Sequence, residues 1–242
     1  MPSKAKQIAL VTGANKGIGF EVARQLGASG CMVLLGARNE SLGKEAAAKL
    51  VAEALDIRFV LIDVTEVSTI AAAAENLSRE FGRLDILVNN AGINDPADGP
   101  ALTADLGAVE RVLRANFLGV LAVTQAMLPL LRKSAAGRIV NVSSGLGSLT
   151  RSANPNASST NLIGYSASKA ALNMLTVQLA RLLGDTAIKV NSAAPGYTAT
   201  DLNGFRGTQT IPEGAVEVVR LALLPNDGPT GTFSEKTGIV PW

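Results

Sequence analysis

The chain has 242 residues, 47% of them hydrophobic, which fits one well-buried domain and leaves no room for a second. Lys and Arg total 22 against 20 Asp and Glu, and no window holds a block of like charge, so nucleic acid is not expected as a partner. The absence of histidine removes the commonest general base and transition-metal ligand. We therefore expect no metal site, and acid–base chemistry from Tyr, Lys, Asp or Glu.

The N-terminal region carries no sign of export. Residues 1–6 are mostly polar, and Gly13, Asn15 and Lys16 interrupt the apolar run behind them before it could act as a signal. No apolar run approaches a membrane span, and the single cysteine, Cys31, excludes an intrachain disulfide. These features predict a cytoplasmic protein with no membrane partner.

Six short runs of β-branched and aliphatic residues are the predicted strands: Ile8–Val11, Met32–Leu35, Arg58–Ile62, Leu84–Val88, Arg138–Val142 and Lys189–Ser192. Ala- and Leu-rich segments with helical spacing lie between them. Nearly continuous apolar strands that alternate with helices are typical of a parallel sheet covered on both faces. The fold class is therefore α/β, and ligands are expected beyond the carboxyl ends of the strands.

The first predicted strand runs directly into Thr-Gly-Ala-Asn-Lys-Gly-Ile-Gly, residues 12–19. Its three glycines permit a sharp turn and close approach of a ligand, and the following helix would point free N–H groups and its positive dipole end at an anion. The glycine spacing matches the common G-x-G-x-x-G only in half. The stretch predicts a dinucleotide phosphate site, with a ligand-free glycine turn as the alternative.

Two later stretches are long for loops in a compact domain, and such loops usually carry function or disorder. Residues 145–164 are rich in Ser and Asn, with Pro155 in the middle. Residues 198–212 carry Gly204 and Gly207, which would act as hinges. Both stretches are expected to border the ligand crevice on the substrate side.

Tyr165 and Lys169 open a segment with helical spacing, so they stand one turn apart on the same face. An ammonium about 4 Å from the phenol is worth roughly 4 kcal/mol at an effective dielectric near 20. We therefore expect the pKa of Tyr165 to be lowered toward neutrality, before desolvation takes back a share. Tyr-x-x-x-Lys alone is a weak pattern, and a solvated helix face is the alternative.

Taken together, the chain from Ile8 to about Phe233 resembles a short-chain dehydrogenase/reductase of the NADPH-dependent carbonyl reductase type. Six ordered motifs carry the resemblance: Thr12–Gly19 as T-G-x-x-x-G-x-G, Asn89–Gly92 as N-N-A-G, Asn116, Ser144 at a strand end, Tyr165 with Lys169 as Y-x-x-x-K, and Pro195–Gly196. The resemblance implies a Rossmann-type doubly wound sheet of about seven strands, as a single domain over residues 1–242.

The resemblance also implies four catalytic residues. Tyr165 would donate a proton to a carbonyl oxygen as hydride arrives from the nicotinamide, while Ser144 hydrogen-bonds that oxygen. Lys169 would lower the pKa of Tyr165 and hold the nicotinamide ribose, and Asn116 would hold a water through a helix distortion. Ser143 is the competing serine, for which a structural role is expected.

Relatives that prefer NAD carry an acidic residue at the end of the second strand, where this chain has Ala37. Arg38 follows it, and Lys16 lies inside the glycine loop, so two cations would converge on the 2′-phosphate of NADP(H). The full set of cofactor-binding residues implied by the resemblance is Gly13, Asn15, Lys16, Gly17, Ile18, Gly19, Arg38, Asp63, Val64, Asn89, Ala91, Gly92, Tyr165, Lys169, Pro195, Gly196, Thr198 and Thr200.

The implied function is reduction of a small-molecule ketone or aldehyde with NADPH, a reversible reaction. One alternative is a 3-ketoacyl-thioester reductase, which needs a basic docking patch; Arg111 and Arg114 supply only a thin one. The other is a non-catalytic NADPH sensor, although such proteins usually lose the tyrosine or the lysine. Ser144 and Tyr165 are 21 positions apart, a modest insertion compared with compact members of the family. Relatives with longer insertions here are often monomers, because the insertion covers the helix face used for oligomerisation. A homodimer or homotetramer is therefore expected slightly ahead of a monomer.

Overall fold

The computed structural model describes residues 6–154 and 161–242, and these form one eight-stranded sheet covered by helices. The strands are β1 (Ile8–Val11), β2 (Met32–Ala37), β3 (Ile57–Leu61), β4 (Ile86–Asn89), β5 (Arg138–Val142), β6 (Lys189–Ala193), β7 (Phe233–Glu235) and β8 (Gly238–Ile239). Their spatial order is β3-β2-β1-β4-β5-β6-β7-β8.

The helices that cover the sheet are α1 (Gly17–Ala28), α2 (Glu40–Ala52), α3 (Val67–Glu80), α4 (Leu106–Leu113), α5 (Gly119–Leu131), α6 (Leu149–Ser152), α7 (Ile163–Leu182) and α8 (Ile211–Ala222). A π-helical turn, Arg114–Leu118, joins α4 to α5. Two short 3₁₀ turns, Gly145–Gly147 and Asp201–Asn203, follow β5 and β6.

The α/β doubly wound fold predicted from the sequence is confirmed. Strands β1 to β7 pair in parallel, and all six predicted strands are present with ends within two residues of the prediction. The sheet has one strand more than the seven expected, because the two-residue β8 pairs antiparallel with β7. The chain order reverses between β1 and β4, which opens a crevice at their carboxyl ends.

Both faces of the sheet are buried, which explains why its strands are continuously apolar. In β1, Ala9 and Val11 face one cluster with residues of α1, α2 and α8, while Ile8 and Leu10 face the other with residues of α3, α5 and α7. Alternate residues of a strand point to opposite faces, so two covered faces need apolar residues at every position.

The combined helix Leu106–Leu131 is long and apolar enough to cross a membrane by length and composition, against the expectation that no run approaches such a span. Its buried residues, Val120, Val123 and Met127 among them, pack in the core beside α3 and the sheet. In the described residues this helix therefore packs as a core helix of the α/β fold.

The two predicted long loops are only partly irregular. After β5, residues 145–154 form the 3₁₀ turn and α6, while Pro155 lies outside the described residues. Helix α7 begins at Ile163, two residues before Tyr165. Residues 198–212 contain the second 3₁₀ turn and a bridge between Thr198 and Gln209, and α8 begins at Ile211.

A buried row of polar side chains crosses the sheet. Asn89 of β4 is opposite Asn141 of β5, which is opposite Ser192 of β6. Asn89 Nδ2 donates to Asn141 Oδ1 at 2.9 Å, and Asn141 Nδ2 donates to Thr176 Oγ1 of α7 at 2.8 Å. Ser192 Oγ lies 2.8 Å from the same threonine oxygen. The row therefore ties α7 to three neighbouring strands.

We expect Asn141→Ala to destabilise the protein by roughly 2–4 kcal/mol, because it removes one buried hydrogen bond each from the Asn89 amide and the Thr176 hydroxyl and leaves a cavity between them. Urea denaturation followed by circular dichroism measures the change. Asn76→Ala on the exposed face of α3 is the matched control, for which about 0.5 kcal/mol or less is expected. Equal destabilisation by the two substitutions contradicts this role of the row.

Candidate active site

The glycine loop turns tightly against the end of β4. Gly13 has a φ of +62°, and a Cβ at this position would lie 2.8 Å from the Cα of Ala91. Only glycine combines that backbone angle with such close contact. Helix α1 then begins at Gly17, and its N-cap residue, Lys16, makes no side-chain cap hydrogen bond. The first N–H groups of α1 are thus left to face an anion.

A cleft of about 520 Å³ opens beside this loop at the switch point of the sheet. It brings together most of the predicted cofactor residues: Gly13, Asn15, Lys16, Gly17, Ile18, Gly19, Arg38, Asp63, Val64, Ala91, Gly92 and Thr200. Its lining also includes residues that were not predicted individually as cofactor contacts: Ile62, Thr65, Asn90, Ile93, Asn94, Pro96, Ala115, Asp201 and Leu202. Asn90 belongs to the Asn89–Gly92 motif, Asp201 and Leu202 belong to the 198–212 loop expected at the crevice, and most of the others lie next to a motif position in the sequence.

The structure gives Asn89 and Asn90 different positions. The Asn89 side chain is 2% exposed and donates to Thr124 and Asn141 inside the fold, away from the cleft. Asn90 lines the cleft, and its Nδ2 donates to the backbone oxygens of Thr12 at 2.9 Å and Gly13 at 3.1 Å. Asn89 was predicted to bind the cofactor, but its side chain points into the fold and the Asn90 side chain lines the cleft, since successive side chains along a strand face opposite sides. Any contact of Asn89 with the cofactor stays a prediction.

Three more predicted cofactor residues, Pro195, Gly196 and Thr198, lie outside the cleft lining. Thr198 is 4% exposed, and its hydroxyl donates to the Pro195 carbonyl at 3.3 Å within the same loop. Thr200 is the member of this stretch that reaches the glycine loop, where a Cβ at Gly17 would lie 3.8 Å from its methyl group. Roles for the other three stay predictions.

The charges around the cleft suit a polyanion. Lys16 and Arg38 are exposed at its rim, and Ala37, at the end of β2, is buried. Lys16 Nζ lies 3.3 Å from Asp201, across the mouth of the cleft. The Asp63 carboxylate accepts from the N–H and hydroxyl of Thr65 at 2.9 and 2.7 Å, so it is engaged locally. Free helix N–H groups and two cations therefore fit a phosphate-bearing dinucleotide.

Asn116 lies in the π-helical turn, which is the helix distortion expected there. It is fully buried; its Oδ1 accepts from Ile93 N–H at 2.8 Å, and its Nδ2 donates to Ile93 O at 3.0 Å and Ser168 Oγ at 3.1 Å. Such π-turns are rare and often occur at functional sites. Asn116 thereby joins the cleft lining at Ile93 to helix α7.

Tyr165 and Lys169 lie one turn apart at the start of α7. Lys169 is 5% exposed, its Nζ donates to the Val142 carbonyl at 2.8 Å, and it lies 5.6 Å from the centre of the Tyr165 ring. A Cβ at Gly92 would lie 3.6 Å from Lys169 Nζ and 3.2 Å from Asn116 Oδ1. Neither Tyr165 nor Lys169 belongs to the cleft lining, but Lys169 stands directly behind Gly92, which forms part of it.

The pKa of Tyr165 differs from the sequence-based expectation. Burial raises the pKa of the Tyr165 phenol, and a hydrogen bond with the Ser144 side chain offsets part of that rise. Burial also lowers the pKa of Lys169 to about 8. The expected lowering of the Tyr165 pKa by Lys169 is thus wrong, because desolvation of the phenol outweighs the lowering by the Ser144 hydrogen bond. The phenol is consequently protonated at neutral pH.

The two adjacent serines after β5 have different environments. Ser143 is buried, and its hydroxyl donates to Asn173 Oδ1 at 2.7 Å. Ser144 is half-buried, hydrogen-bonds Tyr165, and accepts from Leu146 N–H at 3.2 Å at the start of the 3₁₀ turn. Ser144 is therefore the serine whose hydroxyl stands beside the phenol.

Comparisons with known proteins agree with this geometry. The family model described as short chain dehydrogenase matches residues 7–210. Salutaridine reductase of Papaver bracteatum is 36% identical over 290 aligned positions, covering 93% of each chain. Carbonyl reductase (NADPH) 1 of Mus musculus is 35% identical and covers 99% of this chain and 100% of its own. An NADPH-bound carbonyl reductase from chicken fatty liver superposes with a TM-score of 0.86 at 28% identity, over 99% of this chain and 100% of that one.

The chain is a short-chain dehydrogenase, because the family model covers most of its length. Within that family it is carbonyl-reductase-like, and it is an oxidoreductase for which a nicotinamide cofactor is supported. The alignment with the poppy enzyme spans 290 positions, more than the 242 residues of this chain, so that enzyme carries segments with no counterpart here.

The free energy of unfolding should rise with pH between about 8 and 10.5, because folded Lys169 loses its proton near pH 8 and unfolded lysine near 10.5. The unfolded chain then holds the extra proton, and the full rise is worth about 3 kcal/mol. Tyr165 opposes it only above pH 10, where the unfolded phenol ionises first.

Urea denaturation across this pH range measures the rise, and Lys169→Met should abolish it. The exposed Lys133→Met is the matched control and should leave the slope intact. If the wild-type and Lys169→Met profiles run parallel, the lowered pKa of Lys169 is contradicted.

Proposed function

We propose that the protein reduces the carbonyl group of a small ketone or aldehyde to an alcohol, with NADPH as hydride donor, and that it also catalyses the reverse reaction. The observation that carries the proposal is that the Ser144 and Tyr165 side chains hydrogen-bond each other beside the Lys169 ammonium, which stands behind Gly92 of the cleft lining. Relatives named as reductases support it.

In this mechanism Tyr165 is the proton donor. Burial keeps its pKa above the usual value, so the hydroxyl holds the proton that a carbonyl oxygen needs when it becomes an alkoxide. Ser144 hydrogen-bonds the same oxygen and stabilises its developing charge. The cofactor, when bound, supplies the hydride.

In this mechanism Lys169 and Asn116 assist Tyr165 without donating the proton to the substrate themselves. Protonated Lys169 favours ionisation of Tyr165 in the transition state and would hold the ribose hydroxyls of the cofactor. Asn116, on the π-turn, connects through Ser168 and Ile93 to both α7 and the cleft. We assign it the relay that returns a proton to Tyr165 through water after each turnover.

NADP(H) is the proposed cofactor. Lys16 and Arg38 stand at the rim where a 2′-phosphate would lie, and Ala37 offers no carboxylate to repel it. Solved relatives support the choice, since the chicken carbonyl reductase holds NADPH and a Burkholderia cenocepacia gluconate 5-dehydrogenase at 27% identity is a complex with NADP.

The two alternatives have less support. A ketoacyl-thioester reductase needs free basic residues to dock its carrier, yet Arg111 donates to Asp95 at 2.8 Å and lies 3.9 Å from Asp105. These contacts neutralise much of the thin patch. A non-catalytic sensor has no use for a tyrosine, lysine and serine brought together, and this chain keeps all three.

Tyr165→Phe should lower kcat by roughly 10²- to 10⁴-fold, because the general acid is lost while the ring remains. Ser144→Ala should also lower kcat, and Ser143→Ala is its matched control, expected to affect stability more than turnover. NADPH oxidation with a panel of aldehydes, diketones, quinones and ketoacyl thioesters measures activity, and NADPH fluorescence checks that binding is kept. Unchanged turnover in Tyr165→Phe ends the assignment.

Removing the positive charge of Lys16 or Arg38 should weaken the binding of NADPH and leave the binding of NADH unchanged. We expect Lys16→Ala and Arg38→Ala each to raise the Kd for NADPH by roughly tenfold or more, the value of one charge-assisted hydrogen bond. Fluorescence titration with both cofactors measures this, with Lys44→Ala on the exposed face of α2 as control. Equal affinity of the wild-type protein for NADPH and NADH contradicts the proposed preference.

A further inference from the structure

A buried carboxylate from a distant segment caps the helix that carries Tyr165. Asp98 is 7% exposed, its Oδ1 accepts from Gly164 N–H at 2.9 Å, and its Oδ2 accepts from Tyr165 N–H at 2.8 Å. These N–H groups belong to the first turn of α7, where a helix has no partners of its own. A negative group here also interacts favourably with the helix dipole.

Helix α7 depends on this segment for its start. Its own N-cap residue, Leu162, makes no side-chain cap hydrogen bond. Ile163 N–H donates to the Gly99 carbonyl at 3.0 Å, so residues 98 and 99 together satisfy the first three N–H groups of α7. Asp98 Oδ1 also accepts from Gly99 N–H at 2.9 Å, which holds the carboxylate in place.

The same segment lines the cofactor cleft. Ile93, Asn94 and Pro96 form part of the lining, and Asn116 holds Ile93 by both its N–H and its carbonyl. Residues 93–99 are therefore held by Asn116 at one end and attached to the Tyr165 backbone at the other. The cleft wall and the phenol thus share one short, fixed piece of chain.

We refer to the contacts of the Asp98 carboxylate with the N–H groups of Gly164 and Tyr165 as the Asp98 clamp. Close packing at Gly164 makes this clamp specific. A Cβ at this position would lie 3.1 Å from Asp98 Oδ2 and 3.1 Å from the Cα of Val109. Any larger residue at position 164 would push the carboxylate from the N–H groups that it accepts. The contact therefore offers two independent sites for substitution, one on each side.

We infer that Asp98 is a positioning residue that sets the place of the Tyr165 hydroxyl relative to the cofactor cleft. The inference rests on the proposed function, since it assigns a role in proton transfer from Tyr165. Asp98 acts on the backbone of Tyr165, so its effect reaches the reaction only through the position of that side chain. Proton transfer is sensitive to such placement, and a misplacement of about 1 Å can cost roughly 10²-fold in rate.

The test compares Asp98→Ala with Asp105→Ala. Asp105 is a matched control because its carboxylate also caps a helix N-terminus: its Oδ1 accepts from Ala108 N–H at 2.7 Å in the first turn of α4, and it lies 3.9 Å from Arg111. Both substitutions should lower the melting temperature. Only Asp98→Ala should lower kcat, by roughly 10- to 100-fold, with the Kd for NADPH unchanged.

Two further variants separate positioning from stability. Asp98→Asn keeps one acceptor oxygen, so its kcat should fall between those of the wild type and Asp98→Ala. Gly164→Ala should also lower kcat, and the double variant Asp98→Ala/Gly164→Ala should lose less than the product of the two single losses, because both act on one contact. A kcat for Asp98→Ala equal to that of Asp105→Ala overturns the inference.

A readout independent of turnover distinguishes this inference from the proposed function. The chain has two tyrosines, so in a Tyr197→Phe background the absorbance change on phenolate formation reports Tyr165 alone. Asp98→Ala should lower the pKa of Tyr165 toward the ordinary value as the ring becomes hydrated, and Asp105→Ala should not. If the pKa of Tyr165 is the same in Asp98→Ala, Asp105→Ala and the parent protein, the inference about Asp98 is wrong even where the enzyme is active. If the wild type reduces no carbonyl but the difference in pKa is seen, the clamp stands and the proposed function fails.

Discussion

The hydrogen bond from the Lys169 ammonium to the Val142 carbonyl, 2.8 Å long and buried, fixes the relation between helix α7 and the end of strand β5. Everything at the site depends on that relation, because Ser144 follows β5 by two residues and Tyr165 precedes Lys169 by one helical turn. Burying the ammonium costs free energy, because it removes a charge from water. Burial accordingly lowers the pKa of Lys169 to about 8. A buried ammonium at a carbonyl is retained where its place matters more than its contribution to stability.

Further hydrogen bonds hold α7 against β5 along two more helical turns. Lys169, Asn173 and Thr176 follow one another at helical spacing, and each bonds a group of β5 or the residues just after it: the Val142 carbonyl, the Ser143 hydroxyl and the Asn141 amide. Polar contacts of this kind specify a register that apolar contact alone leaves free to slide. The helix is therefore held at a single rotation and height relative to β5.

The cleft and the catalytic end are built from separate parts of the chain, yet they share supports. Asn116 hydrogen-bonds Ile93 in the cleft lining and Ser168 on α7. The Asn90 amide donates to the Thr12 carbonyl and so fixes the start of the glycine loop. The two cations stand at the rim of the cleft, while Lys169, with Tyr165 and Ser144 beside it, stands behind Gly92 of the lining.

Local sequence determined much of this protein by itself: six strands, the glycine turn and the Tyr165–Lys169 spacing follow from patterns within a few residues. Tertiary structure decided what depends on burial and distant contacts. It turned Asn90 instead of Asn89 to the cleft, raised the pKa of Tyr165 against expectation, and brought Asp98 to an N–H group 67 residues away. Spacing encodes backbone geometry, whereas desolvation and caps supplied across the fold arise only when separate segments pack together.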